Sequence, residues 1–172
     1  MSEYEYITAI GQDSHRFIQD EQSAEKKALV LGGVIIPNAP GLFANSDGDV
    51  ILHALTNAIS GITGMNILGE IADKICHDKK ITDSEIYLEE AIKYLNQDVI
   101  KHVSISVECL FPHLSNHISS MKENIARILK ISPSAVGLTA TTGERLTDCG
   151  RGYGISVFCV ITVRRPVERR HD

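Results

Sequence analysis

The chain has 172 residues, 43% of them hydrophobic, and a formal net charge of -5. This length suffices for one domain with a hydrophobic core, and we expect a single domain over residues 1–172. The negative charge argues against a nucleic-acid-binding protein, because such proteins present a basic surface to phosphates. No apolar run is long enough to span a membrane, so we expect no membrane partner.

The two ends of the chain and its cysteines allow expectations about the terminal segments and the cellular compartment of the protein. The first five residues are acidic and lack the apolar segment of a signal peptide, and we expect a short polar N-terminus. The four cysteines include no C-x-x-C pair, which favours free thiols in a reducing cytoplasm. The arginine pairs at 164–165 and 169–170 predict a basic, solvated C-terminal tail from about residue 165.

The first predicted strand covers residues 6–12 and leads into Asp13-Ser14-His15. Residues two apart in an extended chain project to the same side, so Asp13 and His15 could bind one metal ion. A hydrogen bond at the surface is the competing interpretation, because this pair of residues is common. A polar loop at 19–27 leads to a second strand at 29–36, in which Gly32-Gly33 suggests a turn or hairpin. The first two strands are also predicted to pair as a hairpin.

Ser46-Asp47-Gly48-Asp49 precedes the first predicted helix, residues 50–62, whose apolar residues recur at helical spacing. Ser46 or Asp47 could cap this helix, and the helix N-terminus could bind a phosphate. A capped helix without any ligand explains the same residues. His53 lies in the first turns among apolar neighbours, and periodicity alone favours a buried structural histidine.

The segment 65–81, which contains His77, is irregular, and long loops in compact domains are often functional or mobile. Thr82 and Glu85 then form a capping-box pattern at the start of the next helix. The remaining elements are a helix at 82–95, a strand at 102–110, a helix at 115–129 and strands at 137–141 and 154–164. This order predicts an α+β fold with a mixed β-sheet and helices packed on one face.

Two polar motifs precede the last strand. Thr141-Thr142-Gly143-Glu144 offers hydroxyls for a phosphate and a carboxylate for magnesium. Gly150-Arg151-Gly152 offers a flexible backbone and a guanidinium that can bind an anion. A polar turn and a glycine-rich turn explain these two motifs equally well.

Taken together and in order, these motifs resemble one family. The segments that carry the resemblance are Gly11 to His15, Leu31 to Val34, Ser46 to Val50 with His53-Ala54-Leu55, Ala140-Thr141-Thr142 with Glu144, and Gly150-Arg151-Gly152. They are similar to the 2-C-methyl-D-erythritol 2,4-cyclodiphosphate synthase family over about residues 8–163. The resemblance implies a lyase of isoprenoid precursor biosynthesis. Its reaction would convert 4-diphosphocytidyl-2-C-methyl-D-erythritol 2-phosphate to the cyclic diphosphate and release CMP.

The resemblance also implies cofactors and an assembly. Asp13, His15 and His53 match the ligands of zinc or another divalent metal, with an open position for a substrate phosphate oxygen. Glu144 matches a ligand of magnesium or manganese on the substrate diphosphate. The implied assembly is a homotrimer with active sites between subunits, acting on a small cytidine diphosphate substrate.

Roles in substrate binding and catalysis are implied as well. Thr142 matches a residue that stabilises the transition state, and Ser46 matches a phosphate contact. The segment that begins at Cys109 is expected to bind cytidine, with Ala140-Thr141 completing the pocket from the neighbouring subunit. The full expected set of substrate contacts is Asp13, His15, Asn45, Ser46, Glu70, Ala72, Cys109, Pro112, His113, Leu114, Ser115, Ala140, Thr141, Thr142 and Arg151.

The sequence departs from the family pattern at two places near the expected site. Asn45 stands where the family usually has a histidine, and an amide can donate only a neutral hydrogen bond. We expect slower turnover or a compensating donor such as His77. Glu70-Ile71-Ala72 replaces an Asp-Ile-Gly triplet that binds the erythritol hydroxyls. A non-catalytic relative that binds metal and nucleotide, and an unrelated zinc hydrolase, are the competing hypotheses.

Overall fold

The computed structural model describes residues 3–19, 27–71 and 82–167, without the side chains of residues 70 and 71. The strands are β1 (Tyr4–Arg16), β2 (Ala28–Leu31), β3 (Val34–Pro40), β4 (Val99–Glu108), β5 (Val136–Thr141) and β6 (Gly154–Pro166). The helices are α1 (Val50–Thr63), α2 (Ser84–Lys93) and α3 (Ile118–Leu129). The predicted α+β fold is therefore confirmed for the described residues.

Four strands form a mixed sheet in the order β1-β6-β4-β5. β1 pairs with β6 and β6 with β4 in antiparallel fashion, whereas β4 and β5 are parallel. Val157, Ile161 and their alternate neighbours on β6 are fully buried under α1, which lies across β1 and β6. On the opposite face, Ile10, Phe158 and Val160 are 64%, 51% and 37% exposed. The helices thus cover one face of the sheet, as predicted.

The structure contains the hairpin suggested at Gly32-Gly33, but not the one predicted between the first two strands. β2 and β3 pair with each other as a separate sheet, and Gly32 and Gly33 make the turn with φ of 58° and 74°. Glycine suits this turn because positive φ is strained for other residues. β1 instead pairs with β6 along its whole length, from Tyr4 opposite Pro166 to Arg16 opposite Gly154. The break at Gly32-Gly33 was predicted correctly, and the pairing of the first two strands was wrong.

Several element boundaries also differ from the prediction. β1 continues to Arg16, so Asp13 and His15 lie inside the strand rather than after it. Asp49, not Ser46 or Asp47, caps α1, because its side chain accepts from the N–H groups of residues 51 and 52. The capping-box prediction for the next helix was wrong. The N-cap of α2 is Asp83. The third helix begins at Ile118, three residues later than predicted.

The first and last strands extend closer to the two ends of the chain than predicted. β1 begins at Tyr4, two residues earlier than the predicted strand, and so includes part of the expected polar N-terminus. Arg165 bonds Asp98 through both Nε (2.9 Å) and Nη2 (2.6 Å), and the Arg164 guanidinium lies 4.3 Å from the Tyr4 ring. The prediction of a solvated tail was therefore wrong for these two arginines, because β6 includes them. Residues 169–170 lie outside the described residues.

The two long polar loops fall largely outside the structure that is described. Residues 20–26 of the first loop and 72–81 of the second are not described, and this includes Ala72 and His77. The described part of the second loop is an irregular turn at Ile67–Ile71. Among the described helices, none has the length and apolar character needed to cross a membrane.

Candidate metal centre and substrate pocket

Asp13, His15 and His53 come together at one end of the sheet. Asp13 Oδ2 lies 3.0 Å from His15 Nε2 and 2.9 Å from His53 Nδ1. The two ring nitrogens are 3.2 Å apart. Three potential ligand atoms therefore converge on one point, although His53 is 38 residues away from His15 in the chain.

The three donor atoms fit a divalent metal ion. Ligands about 2.1 Å from a tetrahedral zinc are roughly 3.4 Å from one another, only slightly more than the separations in this triad. One carboxylate and two imidazoles are also a ligand set that zinc commonly accepts. The rings lie at 73° to each other, with centroids 5.4 Å apart, so that they meet edge to face rather than stacking. The geometry and chemistry of the triad both fit zinc or a similar ion.

Two local features place the triad. On β1, Asp13 and His15 share the face that packs against α1, because side chains alternate along a strand. Gly11 precedes them on the same face, and its missing side chain allows α1 to approach closely. His53 lies in the first turn of α1, one residue before the contact with Gly11. His53, which periodicity alone predicted to be a buried structural histidine, is indeed only 7% exposed. Its ring nevertheless faces the side chains of Asp13 and His15 on β1.

The charge state of Asp13 follows from its surroundings. Burial by itself would raise the pKa of the Asp13 carboxyl. The hydrogen bonds that His15 and His53 make with this carboxylate, together with their electrostatic interaction with it, outweigh burial and lower the pKa below its usual value. Asp13 is therefore an ionised carboxylate at neutral pH, which is the form that binds a metal ion.

His53 has further contacts that the sequence did not indicate. Its Nε2 atom lies 2.9 Å from Ser84 Oγ and 3.3 Å from Ser46 Oγ. Ser84 also bonds the Asp47 carboxylate through its hydroxyl and through its backbone N–H, the latter at 3.1 Å. The only local signal for Ser84 was its place near the start of a helix, where the pattern pointed to Thr82 instead.

The loop that carries Ser46 is anchored by Asp49. This fully buried carboxylate accepts backbone N–H bonds from Gly32 (2.9 Å), Gly33 (2.6 Å), Ile51 and Leu52 (both 3.1 Å). One side chain thus caps α1 and binds the β2–β3 turn. Asp49 therefore fixes the position of the β2–β3 turn relative to the start of α1, the helix that carries His53.

A surface pocket of about 500 Å³ opens beside the triad. Its walls include all three triad residues together with Asn45 and Ser46. Asn57, Leu68, Gly69 and Tyr87 also line it. The predicted substrate contacts Asn45 and Ser46 therefore do share a pocket with the candidate metal ligands. Glu70 follows Gly69 in the chain, but its side chain is not described, and Ala72 lies outside the described residues.

Thr142 and Glu144 form a second polar cluster at the end of β5. Thr142 Oγ1 donates to Glu144 Oε1 at 3.2 Å, and Glu144 has a positive φ of 49°. Glu108 packs against Gly143, where a Cβ would lie 2.0 Å from its carboxylate, and Glu108 accepts from Thr147. The exposed Glu144 carboxylate is an oxygen ligand of the kind that magnesium prefers.

The two clusters are at opposite edges of the sheet within one chain. Asp13 pairs with Val157, Val157 with Val107, and Val107 with Ala140. Asp13 and Ala140 are thus three strands apart, roughly 14 Å at the usual spacing between strands. The structure brings the metal triad, Asn45 and Ser46 together, but it does not bring Thr142 and Glu144 to them.

The expected cytidine segment lies next to the second cluster. Cys109 N–H donates to Thr141 O at 3.0 Å, and the Cys109 thiol contacts Pro112 O at 3.7 Å. Leu114 is buried, whereas His113 and Ser115 are exposed. The prediction that Ala140-Thr141 completes this pocket from a neighbouring subunit was wrong, because β4 and β5 pair directly and place both segments side by side in one chain.

Arg151 belongs to neither cluster in the single chain. Its guanidinium bonds the Asp148 carboxylate at 3.1 Å, and both side chains are exposed. The Gly150-Arg151-Gly152 motif forms a turn into β6, in which Gly152 has φ of 92°. The turn accounts for the glycines of this motif. An anion-binding role for Arg151 stays a prediction.

Comparison with known proteins identifies the family to which the chain belongs. The model of the YgbB family matches residues 6–164. The 2-C-methyl-D-erythritol 2,4-cyclodiphosphate synthase of Chlamydia felis is 49% identical over 159 residues, 92% of this chain and 89% of that protein. The synthase of Chlamydia muridarum is 48% identical over 162 residues, 94% of this chain and 89% of that protein.

Solved structures show the same likeness. The bifunctional IspDF of Campylobacter jejuni matches with a TM-score of 0.83 and 30% identity, over 94% of this chain and 43% of that one. This chain thus spans less than half of the bifunctional protein. The IspF of Plasmodium falciparum in complex with CDP matches with a TM-score of 0.76 and 29% identity, over 95% and 97% of the two chains. The chain belongs to the YgbB family, whose relatives here are 2-C-methyl-D-erythritol 2,4-cyclodiphosphate synthases.

Proposed function

We propose that this protein is a lyase that converts 4-diphosphocytidyl-2-C-methyl-D-erythritol 2-phosphate to 2-C-methyl-D-erythritol 2,4-cyclodiphosphate and CMP. The observation that carries the proposal is the convergence of Asp13, His15 and His53 beside a pocket in a chain of this family. Likeness to a solved relative in complex with CDP supports a cytidine nucleotide substrate. A place in isoprenoid precursor biosynthesis, in the cytoplasm, completes the proposal.

The residues on the pocket wall would bind and align the substrate phosphates. The 2-phosphate is already an anion, so the attack on the β-phosphorus needs alignment and charge neutralisation rather than a strong base. The Ser46 hydroxyl and the Asn45 amide can donate hydrogen bonds to phosphate oxygens. A zinc ion held by the triad would supply positive charge that reduces the repulsion between phosphates. No general base is required of the triad.

At the second cluster, Thr142 would donate to the phosphoryl group and Glu144 would bind magnesium or manganese on the diphosphate. The Thr142 hydroxyl donates to Glu144 in this structure, so it would have to turn in order to donate to a phosphate. Cys109 to Ser115 with Ala140-Thr141 would form the cytidine pocket of the same chain. Arg151 is proposed as an anion contact only because its side chain is exposed and positively charged.

A homotrimer with intersubunit sites would unite the two clusters. A diphosphate group is much shorter than the roughly 14 Å between the two sheet edges, so the triad and Glu144 of one chain could not both hold the same diphosphate. A second chain must then supply either the triad or the Thr142 cluster. The uncovered sheet face exposes three large apolar side chains, Ile10, Phe158 and Val160, which suit it to contact between chains.

One assay tests the proposed reaction. Purified protein is incubated with the cytidylated substrate, zinc and magnesium, while CMP release and the ³¹P signal of the cyclic diphosphate are followed together. We expect both products in equal amounts, and no product from an Asp13→Ala variant. CMP formed without the cyclic diphosphate would point to a zinc hydrolase. Bound metal without either product would favour the non-catalytic alternative.

A further inference from the structure

Asn57 lies on the wall of the pocket, one helical turn after the candidate metal ligand His53. The two residues are four apart on α1, so their side chains share one face of the helix, with Cβ atoms roughly 5–6 Å apart. Asn57 is half-buried and lines the same pocket as His53. The proposed function has so far given this side chain no role.

A hydrogen bond to β1 fixes the orientation of the Asn57 amide. Its Nδ2 atom donates to the backbone carbonyl oxygen of Gln12 at 3.0 Å. A carbonyl oxygen only accepts hydrogen bonds, so the amide nitrogen, and not the amide oxygen, has to face it. Gln12 is on the strand side of Asn57 and does not line the pocket, so Oδ1 is the amide atom left to face the pocket.

The Asn57 amide oxygen is an acceptor that the rest of the described structure leaves unused. Within residues 3–19, 27–71 and 82–167, no group donates a hydrogen bond to Oδ1. An amide oxygen can accept two hydrogen bonds. The pocket thus presents an oriented acceptor to whatever molecule occupies it.

The other side of the pocket presents donors instead. The Ser46 hydroxyl and the Asn45 amide N–H groups lie there beside the triad. Phosphate oxygens accept hydrogen bonds, so they suit these donors and a metal ion on the triad. The Asn57 oxygen carries a partial negative charge and would repel them. The phosphates of a substrate therefore belong beside Asn45 and Ser46, and a group with a hydrogen to donate belongs beside Asn57.

The proposed substrate has hydroxyl groups that fit this acceptor. Its methylerythritol carries a phosphate on O2 and the cytidine diphosphate on O4, which leaves free hydroxyls on C1 and C3. Closure of the ring joins only the two phosphate groups, so the cyclic product keeps both hydroxyls. A hydrogen bond from one of them to Asn57 is therefore available before, during and after the reaction.

We propose that Asn57 is a specificity-determining residue whose amide oxygen accepts a hydrogen bond from the C1 or the C3 hydroxyl of the methylerythritol. This inference rests on the proposed function, because it takes the pocket to hold that substrate. The bond is made equally in the substrate, the transition state and the product. Uniform binding of this kind lowers KM and leaves kcat unchanged.

Asn57→Leu tests the inference, because leucine has a similar size and no acceptor. We expect the KM for the substrate to rise about 3–10-fold, as for the loss of one neutral hydrogen bond, with kcat unchanged. Calorimetric titration should show the same loss of affinity for the cyclic diphosphate. Affinity for CDP should not change, because CDP lacks the methylerythritol. Unchanged KM and product affinity in the folded variant would overturn the inference. Asn57→Ala takes its place if leucine prevents folding.

Two analogues of the product, the 1-deoxy and the 3-deoxy cyclic diphosphates, identify the hydroxyl. We expect the unaltered protein to bind at least one of them about 3–10-fold more weakly than the product. The variant that lacks the Asn57 acceptor should bind that analogue and the product equally. A loss of the same size in the variant would assign the hydroxyl to another residue, and equal affinity of the unaltered protein for all three compounds would mean that neither hydroxyl is bound. Either result would overturn the inference.

Asn124→Leu is the matched control. Asn124 lies on α3, is half-buried like Asn57, and its Nδ2 donates to the Gly32 carbonyl oxygen at 2.9 Å. This variant removes the same kind of bond at a place outside the pocket. We expect KM and product affinity to stay as in the unaltered protein. Equal effects from both variants would show that Asn57 acts only through stability, and would overturn the inference. If the unaltered protein forms no cyclic diphosphate, the proposed function itself fails, whereas normal turnover with an unchanged KM in Asn57→Leu contradicts this inference alone.

Discussion

Gly11 on β1 lies against Ala54 on α1 so closely that an added Cβ would be 2.0 Å from the Ala54 carbonyl oxygen and 2.5 Å from Ala58 N. At this point the backbone of α1 lies directly against the backbone of β1. Because His53 directly precedes Ala54, the same contact sets the distance between His53 and the two triad residues on β1. A glycine that contributes no side chain thus helps to determine the geometry of the candidate metal site.

We expect Gly11→Ala to destabilise the protein by about 1–3 kcal/mol or more, because neither backbone can move without displacing its element. The displacement of α1 should also weaken zinc binding. Urea unfolding and chelator competition measure the two effects. Gly137→Ala on β5 is the control, since its Cβ would meet no atom closer than 3.6 Å. A Gly11→Ala variant as stable as this control would contradict the close approach.

The Asp49 carboxylate yields a second stability prediction. Asp49→Ala leaves four backbone N–H groups without their acceptor, the buried ones of residues 32, 51 and 52 and the part-buried one of residue 33. We expect a loss of more than about 2 kcal/mol, because each buried unsatisfied donor costs about 1–3 kcal/mol. The exposed N-cap Asp83 makes one such bond, so Asp83→Ala should cost about 1 kcal/mol. Similar losses in thermal unfolding would count against the anchoring role of Asp49.

Much of the fold could be predicted from local patterns, because alternation and helical spacing depend only on neighbouring residues. β4, β6 and α1 were predicted within a few residues for this reason. The N-cap residues could not be predicted in this way. Asp47 and Asp49 are both residue types that can cap α1, and Thr82 and Asp83 are both residue types that can cap α2. The choice between them depends on partners such as the β2–β3 turn, which lie elsewhere in the chain.

The site was predictable only in part for the same reason. Asp13 and His15 share a strand face, but His53 joins them through packing of α1 on β1, and local spacing alone pointed to a core residue. Only the order of all the motifs indicated the triad. Ser84 could not have been found, because its bond to His53 connects two helices across 31 residues.

Asn45 gives a prediction about the rate of the proposed reaction. It is exposed in the pocket beside Asp13, His15 and Ser46, where a histidine could donate a charged hydrogen bond to a phosphate. We expect Asn45→His to raise kcat several-fold, since a gain of about 1 kcal/mol corresponds to roughly fivefold. Asn45→Ala should lower kcat, and it serves as the control for loss of any donor. An unchanged kcat in Asn45→His would show that the amide is sufficient or is compensated.

The separation of the two clusters in one chain predicts complementation between inactive variants. One variant carries His15→Ala and lacks the metal triad, and the other carries Glu144→Ala and lacks the second carboxylate. Each should be inactive alone. After the two are unfolded together and refolded as a mixture, a site formed by the intact triad of one chain and the intact Glu144 of another should be active. Random assembly of equal amounts makes about one quarter of the sites complete.

The measurement is CMP release by the refolded mixture, compared with unaltered protein treated in the same way. Simple mixing without unfolding is the control, and it should give no activity if subunits exchange slowly. Phe158→Asp on the uncovered sheet face adds a second control, because a charge there should reduce assembly in sedimentation and abolish the recovered activity. No recovery from a mixture whose trimers are intact would mean that both clusters serve the same chain. The proposed intersubunit site would then be wrong, and one chain would have to bring residues three strands apart onto the same diphosphate.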